Sequence, residues 1–330
     1  MRTPDFWHRP PTKFGLLACV LSPLGWLYAA ATAWRLNKST PYRAPVPVIC
    51  IGNINAGGTG KTPTAIALAQ TLQAMGANPH FVSRGYGGIL NGPVKVQDGE
   101  HRANQTGDEP LLLAGFASTW VSKDRAAGVR AAVQAGADVI ILDDGFQNPA
   151  VFKDLNIVVV DATRGFGNGR VIPAGPLREP ADVGLARADL VVYIGTHRTD
   201  TPTLKFPVPT LRGHLTPLRT GMQWKDMPVL AFAGIGNPQK FFDTLMAEGA
   251  KVIHAEALSD HQPLTTALMT RLEAEAKLRH AQLVTTEKDA VRLPDAFRAK
   301  VLTFPVRLTL QDWTPLYSAL AKIGLQSNKF

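Results

Sequence analysis

Between Asn55 and Pro63 the chain reads Asn-Ala-Gly-Gly-Thr-Gly-Lys-Thr-Pro, a spacing suited to gripping a polyphosphate. Closely spaced glycines let backbone N–H groups turn inward around an anion, and a Lys-Thr pair at the next helix start adds an ammonium and a hydroxyl that can meet Mg²⁺. The cradle so defined comprises Asn55, Ala56, Gly57, Gly58, Thr59, Gly60, Lys61 and Thr62. Asn55 stands where glycine usually opens the pattern, and the reading expects tolerance there because Asn reaches left-handed backbone angles more easily than most residues. A second constellation, "VIILDDGFQ", puts Asp143 and Asp144 after four apolar residues, the form of a strand-end carboxylate that orders Mg²⁺. Adjacent strand residues point to opposite faces, so one acid is expected on the metal and the other on substrate, water or a neighbouring loop. A turn or cap role for one of them stays open.

These groups need a scaffold. "VPVICIGN" (46–53) is a continuous apolar run that predicts a buried parallel strand, and 62–75 predicts a helix with Pro63 in its first turn and Gly76 at its stop. Further strands are predicted at 80–85, 138–144, 156–162 and 188–195, with a helix at 123–136. That alternation implies a parallel α/β sheet covered on both faces. A second strand-and-helix block starts near Met227. The expected fold is α/β: a P-loop NTPase-like parallel sheet domain over 41–200, a linker over 201–226, and a smaller α/β domain over 227–330 closing the cleft. An apolar membrane-associated helical segment over 1–40 precedes them.

That first segment, Phe14 to Trp34, carries no charged side chain and is long enough to enter a bilayer as a helix. Arg2, Arg9 and Lys13 precede it, Arg35, Lys38 and Arg43 follow it, and Trp26, Tyr28 and Trp34 suit headgroup depth. Pro23 and Gly25 interrupt its middle, so a helical hairpin, a helix lying in one leaflet and a full span all remain open. A cleavable signal is rejected, because an ATP-type loop belongs in the cytoplasm. The net charge of +9 and a pI near 9.7 suit an anionic partner without choosing among nucleic acid, phospholipid and phosphorylated substrate. No aromatic-basic module appears, so nucleic acid is not expected. Cys19 and Cys50 lie in apolar runs and predict neither a disulfide framework nor a thiolate metal site.

Three loops follow predicted strand ends, where open parallel sheets bind ligands: "SRGYGG" (83–88), "GDEP" (107–110) and "GFGNGRVIPAGPLREP" (165–180). Asp260-His261 sits on a turn before a helix of the second block.

The ordered set "GGTGKTP", "SRGYGG", "GDEP", "DDGFQ", "GFGNG", "PAGPLRE", "DHQ" and "TTEKDAVRL" resembles the tetraacyldisaccharide 4'-kinases, the lipid A 4'-kinases of Gram-negative bacteria, over nearly the whole chain. The resemblance implies transfer of the γ-phosphate of ATP to the 4'-hydroxyl of a tetraacylated glucosamine disaccharide 1-phosphate at the cytoplasmic face of the inner membrane. Its implied partners are that lipid A precursor and an anionic membrane surface, with a monomeric enzyme and ATP and Mg²⁺ as cofactors. It further implies Asp108 as base or orienting carboxylate with His261 as its dyad partner, and Lys61, Asp143 and Asp144 in the catalytic centre. Arg125 is implied near the transferred group, Arg178 at the phosphates, and Thr62, Asp144 and Glu179 at the metal. Where the family usually has Asp-His-His, this chain has Asp260-His261-Gln262. The alternative is a membrane-associated switch ATPase of the partition or metallochaperone class. Such proteins commonly carry a signature lysine where this chain has Ala56, and the guanine-nucleotide spacing is missed by "TTEKDA".

Overall fold

In a computed structural model, residues 4–13, 15–195 and 204–326 are described. Arg2, Phe14 and positions 201–203 of the expected linker lie outside them.

Among the described residues thirteen strands run in chain order: β1 (Val48–Gly52), β2 (Pro79–Ser83), β3 (Val94–Lys95), β4 (Thr119–Val121), β5 (Val139–Asp143), β6 (Leu155–Asp161), β7 (Leu190–Gly195), β8 (Thr210–Pro217), β9 (Pro228–Ala233), β10 (Lys251–Ala257), β11 (Gln282–Thr286), β12 (Val301–Phe304) and β13 (Val306–Leu310). Nine of them form the larger sheet in the order β13-β8-β7-β6-β1-β5-β2-β4-β3, and β10-β9-β11-β12 form the smaller. Pairing is parallel except at the two edges of the larger sheet, where β3 and β13 run antiparallel to their neighbours. β1 is buried along its whole length, as a central strand covered on both faces must be. One face is covered by helix α2 (Lys61–Ala74), whose Ala65, Leu68, Ala69 and Leu72 pack on Ile49, Ile51 and Ile157. The opposite face receives Val129 and Ala132 of the helix Arg125–Gln134 over Val82, Ile140 and Leu142.

The smaller sheet is likewise sandwiched, by Met269 and Leu272 of one helix on one face and Phe241, Phe242 and Leu245 of another on the other. Its boundary differs from the expected 227–330. Only Pro305 separates β12 from β13, and β13 returns to pair with β8 in the larger sheet. Leu308 and Leu310, with Leu316 and Leu320 of the C-terminal helix, then join the core around Ile157 and Val192. The expected linker is therefore structured in part: β8 lies within it, and the antiparallel β8-β13 pair ties the lobes together.

Helix α1 (Leu16–Lys38) is continuous through Pro23 and Gly25, so the hairpin alternative is overturned. Packing supplies the reason. Its buried residues Ala18, Ser22, Gly25 and Thr32 recur at helical spacing on one face. A Cβ at Gly25 would come within 2.9 Å of the Val171 carbonyl oxygen, so glycine permits the close approach. The guanidinium of Arg170 bonds the Ser22 hydroxyl, which also donates to the Ala18 carbonyl at 2.6 Å. The other faces expose Leu16, Leu17, Val20, Leu24, Trp26, Leu27 and Trp34.

Candidate active site

The loop between β1 and α2 is shaped from within by Asn53, whose side-chain amide donates to the Gly57 carbonyl at 3.1 Å and to the Thr59 hydroxyl at 3.2 Å. Gly60 has φ +98°, and a Cβ there would meet Ile194 Cδ1 at 2.5 Å, so both backbone angle and space demand glycine. Asn55 departs from expectation. It does not adopt a left-handed angle; it forms an extended bridge with Leu177, and its side chain donates to the Gly165 carbonyl at 2.9 Å. The Ala56 amide is bonded to the Pro176 carbonyl at 2.6 Å, which removes it from the inward set of donors. Gly58 to Thr62 line a cavity of about 230 Å³ between the lobes, together with Glu109, Asp161, Lys240 and Lys288.

Asp143 ends β5 and Asp144 follows it in the turn beside this loop; the two carboxylates have opposite electrostatic fates. Asp143 is buried; its Oδ2 accepts from the Ser83 hydroxyl at 3.1 Å while Oδ1 has no partner. Burial, reinforced by the negative charges of Glu109 and Asp144, pushes its carboxyl up to about 7. Asp144 turns out of the strand at φ +51° and meets Arg178 in a two-pronged pair at 2.7 and 3.1 Å, with the Lys61 ammonium at 3.9 Å. Burial alone would raise its carboxyl, but Lys61 and Arg178 outweigh burial and hold it well below the usual carboxylate range. The turn is braced by Arg125, which donates to the Asp144 carbonyl at 2.7 Å; its guanidinium supports the backbone here. Glu179 is committed elsewhere, to Arg187 and, at 2.8 Å, to the Gln147 amide. It joins the Asp144 cluster only through Gln147, whose carbonyl accepts from Arg178 at 3.4 Å.

The expected dyad is formed across the lobes. Asp108 is 4 % exposed at the start of the helix Asp108–Ala114, and its Oδ2 lies 2.9 Å from His261 Nδ1. His261 adopts φ +56°, and its backbone N–H donates to the Gly234 carbonyl at 3.2 Å, so a strained turn aims the imidazole. Burial would raise the Asp108 carboxyl, yet the His261 bond and the charges of Lys288, His261 and Arg292 carry it below its ordinary value. Tyr86 stands edge-on to the His261 ring at 5.7 Å. Around the dyad lies a second recess of about 390 Å³, lined among others by Tyr86, Arg102 and Arg292. Asp108 lines this recess and its neighbour Glu109 lines the phosphate-loop cavity, so the two spaces flank one turn of backbone.

The profile of the tetraacyldisaccharide-1-P 4'-kinase family matches residues 17–324. The chain belongs to that family. Tetraacyldisaccharide 4'-kinases of Dinoroseobacter shibae and a Jannaschia species are each 60% identical to it, over 97% and 98% of this chain and 97% and 99% of theirs. Among solved structures, LpxK from Aquifex aeolicus in complex with ATP is similar with a TM-score of 0.76 and 26% identity, covering 93% of this chain and 99% of that one. This kinase is thus a phosphotransferase with an alcohol acceptor, and nothing favours the switch-ATPase alternative. The sequence reading missed three groups here: Lys288, paired at 2.9 Å with Glu109 across the lobes, Arg292 beside Asp108 at 3.7 Å, and Gln147. Lys288 and Arg292 lie inside "TTEKDAVRL" and Gln147 inside "DDGFQ", so the motifs were visible but their partners were not.

Proposed function

We propose that this lipid A 4'-kinase binds the polyphosphate of ATP on the Gly57–Thr62 loop and receives the lipid-borne 4'-hydroxyl in the recess of the Asp108–His261 dyad. The observation that carries this is that the adjacent residues Asp108 and Glu109 line the two spaces, one each. Lys61 balances charge on the phosphates, and the inward amides of the loop do the same without reorganising. Asp108 accepts the hydroxyl proton as the new bond forms, and His261, bonded to it through Nδ1, fixes its orientation.

The residues at the loop fit Mg²⁺. Among the described residues no three His, Cys, Asp or Glu side chains form a metal cage, as suits an ion that keeps waters and binds through one or two carboxylates plus phosphates. The unpartnered, buried Oδ1 of Asp143, with Thr62 and Asp144, would supply the protein ligands; Glu179, already paired with Arg187, contributes to the scaffold beneath them. When bound, Mg²⁺ neutralises charge developing on the β- and γ-phosphate oxygens.

Helix α1 supports attachment at the cytoplasmic face of the inner membrane. It is apolar, about 35 Å long at ~1.5 Å per residue, and buries one stripe on the Val171–Ala174 segment while leaving its remaining faces open. Such a helix lies along an anionic bilayer surface with its exposed leucines and tryptophans immersed. The enzyme acts there as a monomer. Detergent-solubilised protein incubated with ATP, Mg²⁺ and the disaccharide 1-phosphate lipid should yield lipid carrying a second phosphate at the 4' position; no transfer to a verified acceptor would refute the reading.

A further inference from the structure

The phosphate loop has an opposite bank, formed by the turn after β9. Gly236 approaches so closely that a Cβ on it would lie 3.1 Å from the Gly58 nitrogen. Arg164, beyond the end of β6, donates to the Gly236 carbonyl at 2.8 Å, fixing that turn against the larger lobe. Four residues further on, in the first turn of the helix Pro238–Ala247, Lys240 lines the same cavity as Gly58 to Thr62. Its side chain is 24 % exposed, and its ammonium lies 3.8 Å from Asp161 Oδ2. That is a loose pair, beyond hydrogen-bond distance; the other oxygen, Asp161 Oδ1, accepts from the Thr163 amide and hydroxyl at 2.8 and 2.5 Å. Among the described residues this contact is the only ion pair of Lys240. A lysine held this weakly, lining one cavity with the loop Gly58 to Thr62, has donors to offer to a second anion.

We infer that Lys240 is a polyphosphate-positioning residue supplied by the smaller lobe, gripping the nucleotide tail from the side opposite Lys61, with Asp161 holding the ammonium in place until the phosphates arrive. The inference rests on the nucleotide site proposed above. Lys240 exchanges one oxygen anion for another, and the exchange makes or breaks no covalent bond.

Displacement of a fluorescent ATP analogue from the full-length protein, by ATP and by inorganic tripolyphosphate, tests this. A charge-assisted hydrogen bond to phosphate is worth on the order of tenfold in affinity. Lys240→Met should weaken ATP and tripolyphosphate alike by about that factor, and Lys240→Arg should restore most of it. Asp161→Asn should bind both at least as tightly as wild type, because a competing carboxylate is gone. Weakening of ATP without tripolyphosphate, or an Asp161→Asn loss equal to that of Lys240→Met, would reduce Lys240 to a base contact or a lobe-packing residue and overturn the inference. Unchanged affinity in Lys240→Met would do so as well. Failure of wild-type protein to bind tripolyphosphate at all would instead refute the loop as a phosphate site. Thermal unfolding of each variant confirms that the fold is intact.

Discussion

Replacing Asp108 by Asn keeps shape and removes both charge and basicity. In the wild type, Oδ2 meets His261 Nδ1 at 2.9 Å and Oδ1 accepts the Glu109 backbone amide at 2.9 Å. An Asn carbonyl can still take one of these bonds, so the net loss of stability should be about 1 kcal/mol, the order of a single net hydrogen bond. Arg292 retains Asp289 and Lys288 retains Glu109, so no buried cation is left stranded. Turnover is another matter. Loss of a positioned general base typically costs about 10²–10⁴-fold, or ~2.7–5.4 kcal/mol of barrier at ~1.36 kcal/mol per decade. Asp108 lines the dyad recess and not the phosphate-loop cavity, so ATP affinity should change less than about threefold, under ~0.7 kcal/mol. Initial rates of lipid phosphorylation in mixed micelles and calorimetric titration of ATP separate the two quantities. A parallel fall in ATP affinity and turnover, or turnover within threefold of wild type, would refute the division between donor and acceptor spaces. The stability difference has a pH signature. The fold holds the Asp108 carboxyl below 3.8, so its contribution is present above that value and lost as pH falls through the depressed one. Melting temperatures of wild type and Asp108→Asn should therefore converge in acid.

His261→Ala should lower turnover substantially while sparing ATP binding, measured by the same pair of assays; equal losses in both would contradict its place in the acceptor recess. Asp143 has the opposite linkage sign from Asp108: with its carboxyl raised to about 7, the stability of the protonated form is complete below 3.8 and gone once pH passes about 7. In EDTA, Asp143→Asn should consequently melt higher than wild type at pH 8 and equal to it near pH 4, and a lower melting temperature at pH 8 would exclude the buried-charge argument. Replacing exposed Leu16, Leu17, Val20 and Leu24 together by serine removes apolar surface worth ~1.5–3 kcal/mol for each side chain fully immersed, so flotation with anionic vesicles should be lost; undiminished binding would assign attachment to another surface.

Much of this site is written in local patterns. The strand-loop-helix around Lys61 is legible because apolar run, glycines and Lys-Thr follow one another directly, and β5, β6 and β7 are legible by their apolar stretches 139–142, 157–160 and 190–194, buried on both faces. Non-local features are not. β13 follows β12 after a single proline, so nothing in the spacing tells that the chain changes sheets there; the answer lies in the fit of Leu308 and Leu310 onto a core built 150 residues earlier. Asn55 suggests a left-handed turn by type, yet Leu177 and Gly165, more than 100 positions away, settle its conformation. Pro23 and Gly25 read as helix breakers, whereas the Val171 carbonyl turns Gly25 into a packing requirement. The resemblance implies a metal role for Glu179, and its pairing with Arg187 is a contact that the sequence does not display.

The most direct test of the account is a structure of this kinase bound to both an unreactive ATP analogue and the disaccharide 1-phosphate lipid. The phosphates should rest on the amides from Gly57 to Thr62 with Lys61 against them, and the sugar 4'-oxygen should lie within hydrogen-bonding reach of Asp108, about 3 Å. A nucleotide seated away from that loop, or a 4'-hydroxyl turned away from Asp108, would contradict it.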